Sequence, residues 1–375
     1  MRAELYNRPA KVENLRFEKG RRILVVSDIH GNDEYFCGVL EAAGFSERDE
    51  LIINGDFSEK GPNSLKVLHR IMKLSERGNV HTILGNCDDW YPIFRMSEEA
   101  HRQILDYIQY RKSGLLWEML RESGFDPLKL GDLSSVCPLL YERFQREWDF
   151  IAALPEAIES ENFIFAHAGA DPAKPLREHC VNELVKYDRF LDLGRVFSKW
   201  LIVGHYPVML YRKDIVCANP IIDRKHHIVS IDGACVLKDD GQLNCLILPD
   251  NDSEDFSFVA YDGFPEVIAL DEQSAGERST YVAWDDSTVQ VLLRGEEFSR
   301  CRHLSTGYEL DILTKYLFSD DEITRCNDCT DYILPVRRGD RLKLVETTSR
   351  GYFVKKNGVS GWYYGRVEIH KPAEF

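Results

Sequence analysis

The chain of 375 residues has no apolar run approaching the ~20 residues that a membrane-crossing helix needs, so a helical channel or transporter is excluded. Its opening, Met-Arg-Ala-Glu-Leu-Tyr-Asn-Arg-Pro, has no apolar core of the kind a secretory signal carries, and a cytoplasmic protein is expected. Positive charge is also short. Lys and Arg total 47 against 62 Asp and Glu, a formal net charge of −15, which argues against a general nucleic-acid binder with a basic face. A nucleotide substrate stays open, because bound metals can neutralise a local site. The ten cysteines are scattered and form no disulfide framework. Cys326-Asn-Asp-Cys329 has no second pair nearby; Cys301 and His303 could complete a zinc site, but reduced cysteines are expected instead. Low-complexity segments and internal repeats are lacking too. An apolar fraction of 44% and a charged fraction of 29% suit an ordinary globular protein of one to three domains.

Five short motifs carry the chemistry: Asp28-Ile29-His30-Gly31, Gly55-Asp56, Gly85-Asn86-Cys87-Asp88, His167-Ala168-Gly169 and Gly204-His205. Each follows a run of apolar, often β-branched residues. The runs are Ile23–Val26, Leu51–Ile53, His81–Leu84, Phe163–Ala166 and Leu201–Val203, and they read as buried strands. Every candidate ligand therefore sits just past the C-terminal end of a strand, where layered α/β folds bind ligands. Asp28 to Asp56 is 28 residues and Asp56 to Asn86 is 30, each about one strand–helix–strand unit.

The residue types suit two divalent metal ions. Such a pair can clamp a phosphoryl group and lower the pKa of a water. It needs a shared carboxylate and further His and Asn ligands. Asp28, His30 and Asp56 can hold the first ion, and Asp56, Asn86, His167 and His205 the second, with Asp56 as the bridge. Oxygen and imidazole donors fit manganese first, and iron or zinc also. A lone Asp or His at a strand end is usually a helix cap or a structural residue. Five such ends in a workable order are not a coincidence.

In these motifs the chain resembles the calcineurin-like metallophosphoesterases, and within them the phosphoprotein phosphatase branch. Leu154-Pro155-Glu156, Ser230-Ile231-Asp232-Gly233-Ala234-Cys235 and Gly241–Leu248 add to the likeness, which spans roughly residues 20–250. It implies an α/β fold, a two-layer β-sandwich flanked by helices, with hydrolysis of a phosphoprotein or a small phosphate ester by a metal-activated hydroxide. Bacterial members also include diadenosine tetraphosphate hydrolases. Three positions depart from the pattern. The family's catalytic histidine is Cys87 here, its aspartate partner is Glu59, and its phosphate-gripping arginine is Lys60. A thiol is a poorer proton donor at neutral pH than an imidazole, and Lys60 supplies charge without the arginine fork. Weakened acid catalysis points to substrates with good leaving groups. It also leaves open a phosphatase-fold binding protein that has lost turnover. Gly-Asn-Cys-Asp is similar to a phosphodiesterase branch as well, but Gly204-His205-Tyr206-Pro207 lacks that branch's second histidine.

A second phosphate-binding cation is expected between the fourth and fifth motifs, with Arg189 the first candidate and Arg177 the second. Asn32 and Asp33 read as helix-capping residues, and Asp88 and Asp89 as caps or pocket-shaping groups. Tyr206 could line the pocket or simply be core.

The chain is expected to divide into a lead-in over 1–22, a motif-bearing domain over 23–250 and a mostly-β region over 256–375. A helical insertion over about 96–150 could cap the site or serve as scaffold, and the polar stretch Pro249–Asp255 reads as a loop or a linker. In the last region Leu310–Phe318 reads as a short helix. Asn357-Gly358 between strand-like runs signals a hairpin. Residues 335–370 resemble bacterial SH3-like barrels, which implies a peptide or protein partner held through Trp362, Tyr363 and Tyr364 if those aromatics are exposed. Otherwise they fill the module's own core.

Overall fold

Ile23–Val26 alternates as a buried strand must when both its faces are covered. In a computed structural model describing residues 7–320 and 323–369, Ile23 and Val25 point into a core shared with Ile52, Phe163, Phe165, Trp200 and Ile202. Leu24 and Val26 point the other way, into a core built with helices. The same period of two splits Ile164 and Leu201 from Phe163, Phe165 and Ile202 on the opposite layer, where the outer residues pack with Leu176, Leu184 and Phe190. The result is the two-layer β-sandwich flanked by helices.

The first layer has five strands in the order Ser257–Tyr261, Leu243–Leu248, Ile23–Val26, Glu50–Asn54 and Val80–Ile83, the last three parallel. The second has six, in the order Val12–Asn14, Ala157–Glu159, Phe163–Ala166, Trp200–Val203, Ile228–Ser230 and Ile221–Asp223. Helices Asp33–Ala42 and Ser64–Ser75 connect the parallel strands of the first layer. Asn32 caps the former, its side chain accepting from the Tyr35 N–H as a capping residue should.

The helical insertion is present. Helices Glu98–Arg111, Leu115–Glu122, Cys137–Arg143 and Gln145–Ala153 make it up, and the first two bury the apolar stripe Ile108, Leu115, Leu116, Met119 and Leu120. Ser97 caps the first of them by accepting from the Ala100 N–H.

Of its two readings, the polar stretch at 249–255 takes the loop rather than the linker. It is the loop of a hairpin, because Ile247 pairs with Ser257 and Leu243 with Tyr261. The sandwich unit accordingly comprises residues 1–207, 220–237 and 241–262, and a second unit takes 208–219, 238–240 and 263–375.

The second unit is mostly β. Its largest sheet orders Val367–Ile369, Glu266–Ala269, Arg341–Thr347, Tyr352–Lys356, Val359–Tyr363 and Val216–Cys217. Asn357 and Gly358 form the expected hairpin turn, with φ of 51° and 77°, and Lys356 faces Val359. Leu310–Phe318 is not a helix. Glu309–Leu313 is a strand paired with Phe298–His303, followed by a single 3-10 turn, because Leu310 and Ile312 alternate into a core with Cys301 and Cys326. The three terminal aromatics divide. Trp362 and Tyr363 lie inside, the indole N–H donating to Thr330 O and the phenol to Asp271 O, and Tyr364 is exposed. A partner surface built on all three is thereby corrected: two of them fill the unit's own core.

The ten cysteines are free. Cys326 and Cys329 sulfurs are 3.9 Å apart. His303 spends one ring nitrogen on Asp286 O and the other on Thr306 Oγ1, so it is committed to protein partners rather than to a zinc ion.

No helix among the described residues is long and apolar enough to cross a membrane.

Candidate metal centre

The five motifs meet at one end of the sandwich because parallel strands carry their C-terminal ends to the same edge. The turns are locked together through the backbone. Asp28 N–H donates to Gly55 O, His30 N–H to Asp56 O and Gly204 N–H to His167 O. Two glycines are required by crowding: a Cβ at Gly85 would overlap Asp56, and one at Gly204 would overlap Ser27 and Asp28.

The turns are strained as well as close. Asp28, His30, Asp56 and His205 have φ of 58°, 49°, 52° and 67°, and Glu59 and Lys60 follow at 68° and 66°. Left-handed backbone at non-glycine residues costs on the order of 1 kcal/mol each and clusters at ligand sites.

Asp56 lies between two sets of donors. His30 N, Asp56 O and Cys87 S form one group, and Asp56 O, His167 N and His205 N another, each with its atoms within 4.8 Å of one another. The two carboxylate oxygens divide between them: Oδ1 is 3.3 Å from His167 Nε2 and Oδ2 is 3.9 Å from His30 Nε2. Asn86 Oδ1 lies 3.3 Å from His167 Nε2 and Asp28 Oδ1 3.8 Å from His30 Nε2. Each of the six residues expected as metal ligands is therefore within reach of one group or the other.

The tautomers suit metal binding. His167 Nδ1 faces Asn54 O at 2.9 Å and His30 Nδ1 faces Ser58 O at 3.3 Å. A carbonyl only accepts, so each Nδ1 carries the proton and each Nε2 points inward. Burial, aided by Lys60, drops His30 to about 3, and burial with His167 nearby drops His205 to about 3, so both rings are neutral and keep a lone pair. Burial pushes His167 the same way, but Asp56 and Asp28 overrule it and raise the ring to about 10. Burial would raise Asp56, yet His167, His30 and Lys60 hold its carboxyl well below the usual range. Asp28, raised by burial and by Asp56, sits at about 6.

Asp28 Oδ1 is buried without a hydrogen-bond partner, although Oδ2 accepts from Ser27 Oγ and His205 N–H. An orphaned carboxylate oxygen beside an imidazole Nε2 is costly in an interior and is satisfied by a cation. The donor set and this oxygen fit two divalent ions sharing Asp56.

The other expected site residues fall into place differently. Lys60 is nearly buried, and its ammonium lies 3.2 Å from His30 Nε2; burial would lower it, but Cys87, Asp56, Asp28 and Asp232 keep it firmly charged. Glu59 is not paired with residue 87. Its oxygens accept from the Leu115 N–H at 2.7 Å and the Tyr107 hydroxyl at 3.3 Å, which ties the helical insertion to the site. Burial raises its carboxyl to about 7. Cys87 donates its backbone N–H to Asp56 Oδ1 at 2.8 Å and takes the Asn86 amide on its sulfur at 3.3 Å. Burial, then Asp56, pushes its thiol well up, which leaves it a weak proton donor. Arg189 holds Asp192 at 2.5 Å and reaches the Tyr206 hydroxyl at 3.4 Å, one residue from His205. Arg177 lies in the 3-10 turn Leu176–Glu178.

Two buried carboxylates turn out to matter more than the sequence indicated: Asp88, read as a cap or pocket-shaping group, and Asp232, given no separate role. Asp88 accepts from the N–H groups of Asp56, Ser58 and Gly85 and from Ser58 Oγ, which makes it the clamp on the Asp56 turn. Asp232 accepts from Ala234 N–H, and its Oδ2 has no hydrogen-bond partner; burial and Asp28 push its carboxyl well up. The signal for Asp88 was its place two residues past Asn86, and for Asp232 its place just after the apolar run Ile228–Ile231.

The chain belongs to the calcineurin-like phosphoesterase family, whose family model matches residues 21–216. It is 41% identical over 63 residues to a symmetrical bis(5'-nucleosyl)-tetraphosphatase of Wigglesworthia glossinidia brevipalpis, covering 16% of this chain and 22% of that one. It is 27% identical over 176 residues to a zinc-dependent endopolyphosphatase of Saccharomyces cerevisiae, covering 43% and 51%. The chain thus spans from about a fifth to about half the length of these curated relatives. A solved metallophosphoesterase from Sphaerobacter thermophilus is 16% identical, covers 65% of this chain and 89% of its own, and superimposes with a TM-score of 0.39.

Proposed function

We propose that the chain is a divalent-metal-dependent phosphoester hydrolase. The observation that carries this reading is Asp56, whose two oxygens face two separate donor groups. When bound, two divalent ions supply Lewis acidity to a phosphoryl oxygen and lower the pKa of a water, so that it attacks phosphorus at neutral pH. Asp28, His30 and Asp56 would hold one ion, and Asp56, Asn86, His167 and His205 the other. His30 and His205 are neutral and present lone pairs, and His167 would serve in its neutral form. Lys60 brings a fixed positive charge to the phosphoryl oxygens, and Arg189 a second one from the Tyr206 side. Manganese is the first expectation, with iron or zinc compatible.

Leaving-group assistance is the weak element. Cys87 is a poor acid and Glu59 is engaged with Leu115 and Tyr107. The enzyme then favours substrates whose leaving group departs unaided, such as aryl phosphates, activated diesters or nucleotide anhydrides, over serine phosphate. The local likeness to bis(5'-nucleosyl)-tetraphosphatases supports the anhydride as the second reading within this class.

The test is direct. Metal-stripped protein is given manganese and assayed on a phosphomonoester, a phosphodiester, a phosphopeptide and diadenosine tetraphosphate, with Asp56→Asn as control. Manganese-dependent turnover lost in the variant supports the reading, and the best substrate chooses the branch. Two bound ions with no turnover on any substrate would turn the reading to a binding protein. Rates that do not depend on leaving-group pKa would remove the leaving-group argument.

A further inference from the structure

We propose that the Cys87 thiolate is itself a ligand of the ion held by His30 and Asp56, which makes that position selective for a thiophilic metal. This rests on the metal site of the reading above but not on turnover.

Three roles are open to a cysteine beside a ligand: proton donor, packing residue or ligand. The first fits poorly: the carboxylate at Glu59 is spent on Leu115 and Tyr107, and the carboxylate beside the thiol is the bridging Asp56. The second fits poorly. A cysteine that merely packs sits among apolar groups. Cys87 is half-buried, and its sulfur faces the Asn86 amide and the charges of Asp56 and Lys60.

The third role fits each contact. Cys87 S, His30 N and Asp56 O lie within 4.8 Å of one another. The Cys87 backbone is fixed on the bridging carboxylate through its N–H to Asp56 Oδ1, which keeps the residue beside the group. The Asn86 amide spans both groups. Its Oδ1 lies against His167 Nε2, and its Nδ2 donates to the Cys87 sulfur, as amide donors do toward ligand sulfur. Sulfur, imidazole and carboxylate together favour zinc, cobalt or iron(II) over manganese or magnesium. On binding, the Cys87 S–H bond breaks, its proton leaves to solvent and a sulfur–metal bond forms with no change of oxidation state. The ion also takes the His30 Nε2 lone pair that the Lys60 ammonium engages.

The experiment is a titration of the full-length, metal-free chain with cobalt(II), followed in the near ultraviolet for thiolate-to-cobalt charge transfer. Wild type is compared with Cys87→Ser and, as a control, Cys37→Ser. The expected result is a band that saturates with one of two bound ions, persists in the Cys37 variant and is lost in Cys87→Ser, whose preference for zinc over manganese falls about 10–100-fold. Two bound cobalt ions without the band, or an undiminished band in Cys87→Ser, would overturn the proposal. If Cys87→Ser does not fold, alkylation of wild type decides: zinc should protect Cys87 from iodoacetamide, and labelling unaffected by zinc would refute the ligand role. Manganese-dependent turnover with either negative result would leave the phosphoesterase reading standing while this inference fails.

Discussion

The sandwich unit and the C-terminal unit treat charge and backbone in opposite ways. In the sandwich unit, Asp28, His30, Asp56, Glu59, Asp88, His167 and Asp232 are buried, and left-handed backbone recurs along the turns that carry them. In the C-terminal unit the left-handed non-glycine among the described residues is Asn357, in a hairpin turn that wants it; ion pairs such as Arg366–Asp271 and Arg302–Glu309 lie toward solvent, and the buried Lys355 ammonium is satisfied by Asp240 O. The second pattern is what folding alone selects. The first is local cost accepted for a ligand, since strained turns and buried unpaired carboxylates persist where binding offsets them.

The sharpest break of this contrast is Asp56→Asn. It removes the carboxylate both donor groups share, and kcat/KM should fall on the order of 1,000-fold, ~4 kcal/mol of transition-state stabilisation. Steady-state kinetics on the best substrate checks it. Trp362→Ala should act on the other side of the comparison. Its indole is almost fully enclosed and hydrogen-bonded to Thr330 O, so the C-terminal unit should lose about 3–5 kcal/mol in denaturant unfolding. Asp88→Ala tests whether a buried charge in the sandwich unit serves the site. Stranding the N–H groups of Asp56, Ser58 and Gly85 should cost about 3 kcal/mol and weaken metal binding ~10–100-fold. A Trp362→Ala-like loss of stability with unchanged metal affinity would make Asp88 plain scaffold.

The smallest effect belongs to a half-buried surface pair. Lys174 first, then the Cys180 N–H, depress Glu183 from 4.5 to about 2. Its stabilising contribution is present above pH ~4.5 and is lost as pH falls from there through about 2. Because the pair is solvent-screened, Glu183→Gln should flatten that acid slope by only about 0.5 kcal/mol, measured by thermal melts across the window.

The gathering of these side chains was legible in the sequence because each proposed ligand stands beside its own strand and its own glycine, so local order carried the information. Asp28, His30, Asp56, Asn86, His167 and His205 needed only the rule that parallel strands end on one side. Glu59 was misread because its partners, Leu115 and Tyr107, lie about fifty residues away in a helical insertion whose docking no local pattern encodes. Asp88 read only as a cap or pocket-shaping group and Asp232 only as part of the family likeness; their importance comes from burial. Leu310–Phe318 failed for another reason. Leu310-Asp311-Ile312-Leu313 fits a helix face or a strand equally over so short a window, and pairing with Phe298–His303 decided it. The polar run at 249–255 read as loop or linker because the two share composition, and only the pairing of Ile247 with Ser257 tells them apart.

The central claim is that one carboxylate serves two ions, and metal stoichiometry tests it most directly. Wild type and Asp56→Asn, both metal-stripped, would be reloaded and titrated by calorimetry with elemental analysis of the product. The account predicts two ions per chain in wild type and weakening of both together in the variant. Two ions retained with wild-type affinity in Asp56→Asn, or a single ion in wild type, would contradict it.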